Sequence, residues 1–117
     1  MPKKYSGIYE NIKKSPYNLE YYDSFWELEF MKELESDEKI NKWTKNHGIR
    51  IPYFDLDNKY KSYLPDFLIE YLDGTIELVE MKGKHLLDNP NTKRKMEFAK
   101  KWCKSRDIKY RIYSKYQ

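Results

Sequence analysis

Four ionisable residues stand where the surrounding pattern calls for apolar side chains: Glu27, Asp66, Glu80 and Lys82. Glu80 and Lys82 are two apart in a strand-like run, so their side chains leave the same face. Asp66 follows Pro65 in a second strand-like run. Glu27 falls within the apolar face of a helix, beside Phe30, Met31 and Leu34 on a wheel of about 100° per residue. An unpaired carboxylate on such a face is costly. Three of them converging on one spot would repel one another unless a cation sat between them. Hard oxygen ligands, with no Cys/His cluster nearby, favour Mg²⁺ or Mn²⁺ over zinc. That chemistry suits phosphodiester hydrolysis, in which a metal polarises a phosphoryl oxygen and helps deprotonate a water. Lys82 beside it could orient the water or stabilise the developing negative charge.

The elements that must position these residues follow from periodicity and turn chemistry. Asp23-Ser24 opens a helix to about Ser36, with Ser24 and Glu27 in a capping-box pattern. A short helical stretch is expected from Asp37 to Lys45, ending near His47-Gly48. Ile49 to Phe54 reads as a strand, Asp55 to Asn58 as a turn, and Tyr60 to Tyr71 as a second strand. Asp73-Gly74 signals a hairpin, and Thr75 to Lys82 returns as a third strand. Apolar residues on both faces make the second and third strands central ones. Lys84 to Pro90 reads as a loop. Asn91 or Thr92 caps a helix to about Arg106, and Ile108 to Tyr113 is a last strand, parallel to its neighbour through a right-handed crossover. The order is α-β-β-β-α-β, an α/β domain with a mixed sheet. Residues 1–20, rich in Lys and Tyr, read as an irregular basic arm ahead of a domain over 21–117.

The hairpin sets a geometric condition on the site. A two-residue loop at Asp73-Gly74 would pair Asp66 with Met81 and leave it on the face opposite Glu80 and Lys82. A loop one residue longer or shorter, or a bulge near Pro65, restores the common face. One of these irregularities is expected.

Composition bounds the partners. A chain of 117 residues has room for one core. Charged residues make up 36% and aromatics 17%, twelve of them tyrosine, which suits a folded domain with a charged surface and not a disordered chain. Net charge is +4, and Lys84 to Arg106 is strongly basic where Glu20 to Glu38 is strongly acidic, so one side could meet phosphates. Two solvated helix faces of opposite sign would produce the same pattern. The single cysteine, Cys103, excludes an internal disulfide and points to a reducing, cytoplasmic setting. No apolar stretch reaches membrane-spanning length, and no signal-peptide apolar region is present.

The segments Ser24-Phe-Trp-Glu27, Ile51-Pro52-Tyr53, Tyr63-Leu-Pro65-Asp66-Phe and Glu80-Met-Lys82 resemble the PD-(D/E)xK nuclease superfamily. Within it the chain is most similar to TnsA-type transposon endonucleases and phage head-completion nucleases. The resemblance implies a restriction-endonuclease-like αβββαβ core, a mixed central sheet flanked by helices. It implies a metal-dependent DNA endonuclease of phage or mobile-element setting, with Asp66 and Glu80 as metal ligands, Lys82 as catalytic lysine and Glu27 completing the site. DNA is the implied partner, with a homodimer or a phage or transposition assembly partner also open. Lys84, His85, Lys93, Arg94 and Lys95 are candidate phosphate contacts.

Each residue also has a structural alternative. Glu27 could serve only the capping box, Lys82 could neutralise Glu80 or Asp66, and Asp66 could simply start a strand. Two rival functions remain open: a nucleic-acid-binding module that does not cut, and a virion assembly protein on the same fold.

Overall fold

A computed structural model describes residues 6–114. The sheet at its centre has four strands, β3 (Ile40–Thr44), β6 (Phe67–Tyr71), β7 (Ile76–Met81) and β8 (Lys109–Tyr113), in that order. β3, β6 and β7 are successively antiparallel, and β8 lies parallel to β7 after a crossover through helix α2 (Pro90–Lys104). Helix α1 (Phe25–Ser36) precedes β3. With two small hairpins set aside, the order is αβββαβ with a mixed sheet, as the sequence predicts.

Each helix covers one sheet face. Phe30, Met31 and Leu34 of α1 pack on Ile40, Trp43, Phe67, Ile69, Val79 and Met81. Burying these three helix side chains stabilises the fold by on the order of 1.5–3 kcal/mol apiece. Ala99 and Cys103 of α2 close over Leu78, Ile51 and Tyr63 on the other side. The buried Trp43 indole N–H donates to Glu35 Oε2 at 2.8 Å, so its one polar atom is satisfied.

Several sequence expectations are corrected in detail. Asp37 to Lys45 is no helix: it contains β3, the first strand of the sheet. Ile40 and Trp43, three apart, look helical because a bulge interrupts the strand. Ile40 faces Tyr71 but Lys42 faces Glu70, and the extra residue lets Ile40 and Trp43 enter the same core. The expected first strand instead contains β4 (Ile51–Phe54), which pairs with β5 (Tyr60–Tyr63) in a separate hairpin. The long strand expected over Tyr60 to Tyr71 breaks at Leu64-Pro65-Asp66 into β5 and β6, where proline has no N–H for a ladder.

Much of the expected irregular arm is a hairpin of β1 (Gly7–Glu10) and β2 (Leu19–Tyr22). Residues 1–5, where that arm begins, lie outside the described residues. The hairpin is tied to the domain by buried Glu20, whose carboxylate accepts from Ser15 Oγ and Thr44 Oγ1 at 2.6 Å each and from the Lys45 N–H at 3.1 Å. Helix α2 begins two or three residues earlier than expected. Asn89 caps it, accepting from the N–H groups of Asn91 and Thr92, and Pro90 takes the first turn, where its missing N–H costs nothing. A single 3₁₀ turn at Lys84–Leu86 occupies the expected loop. Among the described residues no helix is long and apolar enough to cross a membrane.

Candidate active site

The β6–β7 connection meets the register condition. The loop between Tyr71 and Thr75 holds three residues, Leu72, Asp73 and Gly74, and not two. Tyr71 donates its N–H to the Thr75 carbonyl at 2.8 Å, and the Gly74 N–H closes onto the Tyr71 carbonyl at 3.0 Å. Gly74 sits at φ +90, a left-handed conformation that a side chain would strain. Phe67 therefore pairs with Val79. One step beyond, the same register sets Asp66 across from Glu80 on the face that Lys82 shares.

The surroundings of Asp66 hold it in place. Its Oδ2 accepts the Met81 N–H at 2.8 Å. His47 fixes the preceding peptide: its Nδ1 accepts the Ile49 N–H at 2.9 Å, so Nε2 carries the proton and donates to the Pro65 carbonyl at 2.7 Å. Burial, then the charge of Glu80 and that of Glu27, push the Asp66 carboxyl up to about 7, while the Met81 N–H and Lys45 oppose them. Two carboxylates forced together in a partly dry site account for this direction.

Glu80 is buried. Its Oε1 accepts the Tyr63 hydroxyl at 2.8 Å, and its Oε2 lies 3.4 Å from Lys82 Nζ. Tyr63 and Tyr110 meet hydroxyl to hydroxyl at 2.9 Å. Burial raises both phenols well above their ordinary range, with Glu80 adding to it, so both remain protonated. The Lys95 ammonium lies 5.4 Å from the centre of the Tyr63 ring, which brings the basic helix α2 alongside.

Glu27 is arranged differently from expectation. Ser24 Oγ accepts the Glu27 N–H at 3.2 Å, and the Glu27 carboxylate reaches back to the Asp23 N–H at 2.8 Å, a variant of the expected capping box. The same Oε1 takes the Lys45 ammonium at 2.6 Å, and Lys45 also reaches Asp23 at 3.4 Å. Burial alone would lower the Lys45 pKa, but Glu27, Asp23 and Asp66 together hold it above its ordinary value. Lys45, whose side chain is only 18% exposed, escapes a reading of the sequence because it directly follows β3, in a segment that reads as helical. The signal that could have found it is the demand of an inward Glu27 for a cation. The expected convergence of three carboxylates is not seen. Among the described residues no three His, Cys, Asp or Glu side chains form a group that could hold a metal ion.

The donor set present still suits one divalent cation. Mg²⁺ commonly takes one or two carboxylates and fills its remaining positions with water and substrate phosphate, needing no all-protein cage. The Asp66–Glu80 pair meets that requirement, and a cation would relieve the repulsion that raises Asp66. The candidate phosphate contacts are divided. Lys84 and His85 are exposed on the turn after β7, and Lys93 is exposed on α2 within 3.9 Å of Asp88. Arg94 turns inward to the fold, donating from Nε to the Phe54 carbonyl at 2.8 Å and lying over Phe98.

A mixed sheet in αβββαβ order, with an acid pair and a lysine at the ends of its central strands, defines a restriction-endonuclease-like domain. The chain belongs to the TnsA-like endonuclease N-terminal family, whose model matches residues 37–115, more than half of its length. That match contains Lys45, Asp66, Glu80 and Lys82 and begins after Glu27. No curated protein matches the sequence.

Proposed function

We propose that the protein is a divalent-metal-dependent DNA endonuclease, encoded in a phage or mobile-element setting, that hydrolyses phosphodiester bonds at the Asp66–Glu80–Lys82 face. The observation that carries this reading is the register of β6 and β7, which sets Asp66 opposite Glu80 through a three-residue loop. Asp66 and Glu80 would hold the cation, and when bound it would polarise the scissile phosphate and activate a water for attack. The protein's own groups prepare that arrangement. The Met81 N–H and the His47–Pro65 bond fix Asp66, while the Tyr63 hydroxyl aims Glu80. Lys82 stands beside the acid pair, where its ammonium can orient the water or stabilise charge gathering on the phosphate. Glu27 contributes negative charge at one flank, with Lys45 holding it in place. Lys84, His85, Lys93 and Lys95 take neighbouring phosphates as an electrostatic track.

The test is cleavage of linear, circular and branched DNA with Mg²⁺ or Mn²⁺ by the wild type, Glu80→Ala and Lys82→Ala, with folding of each checked by circular dichroism. Metal-dependent cutting lost in both variants is expected. A folded wild type that binds DNA and cuts none of these substrates would replace this reading with that of a binding module.

A further inference from the structure

The two faces of the β4–β5 hairpin have different fates. On the inner face Ile51 and Tyr63 are buried under α2. On the outer face the register pairs Pro52 with Ser62 and Phe54 with Tyr60. Phe54 is 46% exposed, Tyr60 69% and Leu64 43%. The rings of Phe54 and Tyr60 meet edge-on with centroids 5.8 Å apart.

This arm is braced. Arg94 of α2 donates to the Phe54 carbonyl, and the ring of Phe98 on the same helix stands 6.5 Å from that of Phe54. At the tip, Asp55 accepts the N–H groups of Asp57 and Lys59 at 2.9 Å each and pairs with Lys61 at 3.2 Å. The exposed aromatics are thus displayed on a preorganised support, which lowers the ordering cost of binding. Strand β5 continues through Leu64 and Pro65 directly into Asp66. Six residues of extended chain span at most about 22 Å, so Tyr60 lies within that distance of the candidate site.

We propose that this outer face stacks unpaired bases, so that the substrate class is DNA carrying single-stranded bases beside the cleavage point, as in an overhang, gap or branch. The inference rests on the nuclease reading above and names its substrate. Phosphates call for cations and gain nothing from Phe54 or Tyr60. Every base has a π-face that an aromatic ring can cover, and a continuous duplex hides those faces in its stack. Arg50 and Lys59, exposed cations directly before β4 and β5, favour a polyanion over a second copy of a chain that itself carries +4.

The experiment measures DNA binding by fluorescence anisotropy without divalent cation, using the full chain. One probe is a gapped duplex with 2-aminopurine at an unpaired position, and the other is a continuous duplex of the same sequence. Wild type is compared with Phe54→Ala/Tyr60→Ala and with Phe54→Leu/Tyr60→Leu, which keeps apolar bulk without a ring. The expected result is binding to the gapped probe about tenfold weaker or worse in both variants. Affinity for continuous duplex should change by less than about twofold, and the 2-aminopurine response to binding should disappear. Equal loss on both probes, or an unaltered 2-aminopurine response, overturns the proposal. So does a wild-type dimer that the leucine variant dissolves, which would make the face a protein contact. Because binding is read without cutting, a protein that discriminates the probes but never cleaves refutes only the catalytic reading. One that binds neither probe refutes both.

Discussion

Asp66 is held in a place that suits its protonated form, so replacing it with asparagine should stabilise the metal-free protein while abolishing cleavage. The carboxyl is raised from 3.8 to about 7 by burial and by Glu80. A displacement of that size corresponds to up to about 4 kcal/mol between the two protonation states. Between those two pH values the native state binds a proton that the unfolded chain has released. The stability contributed by Asp66 therefore falls as pH rises from about 4 to about 7, and the loss is complete above that. Asparagine carries no charge and can still accept the Met81 N–H through Oδ1. Urea denaturation in EDTA should find Asp66→Asn and wild type nearly equal near pH 4, and the variant more stable by up to about 4 kcal/mol near pH 8. Adding Mg²⁺ near pH 8 should stabilise the wild type and leave the variant nearly unchanged, since only the charged pair gains a partner. Parallel pH profiles for the two proteins would mean that Asp66 and Glu80 do not share a strained site, and the argument for a cation there would fail with them.

Two further outcomes test the elements around the pair. Lys45→Met should cost about 3 kcal/mol by leaving Glu27 without its cation, and adding Glu27→Gln should restore most of it. Urea melts of the single and double variants decide this, and a Lys45→Met protein within about 0.5 kcal/mol of wild type would reduce the pair to an exposed ion pair. Burial lowers the pKa of His47, and protonating Nδ1 would destroy its bond from Ile49. Stability owed to His47 is thus present above about 6.5 and lost as pH falls below it, the opposite direction to Asp66. In an Asp66→Asn background this acid-side loss should be visible and should vanish with His47→Gln; a loss that persists in the glutamine variant would assign it elsewhere.

Local pattern was enough to read the fold class and the elements from β6 to β8, though not the first strand of the sheet. The inward face of α1, the two-sided apolar strands β6 and β7, the capped basic helix and the parallel last strand each rest on periodicity, and periodicity is written residue by residue. Glu80 and Lys82 could be placed on one face for the same reason. The register condition on Asp66 was also legible as a condition, because side-chain alternation allows only a few loop lengths. Which length the loop takes was decided by the folded hairpin, in which Gly74 adopts a left-handed conformation that lets three residues close the turn.

What the pattern misread involved partners distant in sequence. The bulge in β3 gives a strand the spacing of a helix, and only pairing with β6 makes it a strand. Pro65 splits one apparent strand into two because each half finds a different neighbour. Lys45 against Glu27, Tyr63 against Glu80 and His47 against the peptide before Asp66 join residues 17 or 18 apart. No local periodicity encodes such contacts. The sequence by itself determined which groups could do chemistry and that Glu80 and Lys82 share a face; the tertiary structure alone decided that Asp66 joins them and which charges meet, because burial and long-range pairing set the cost of leaving each one alone.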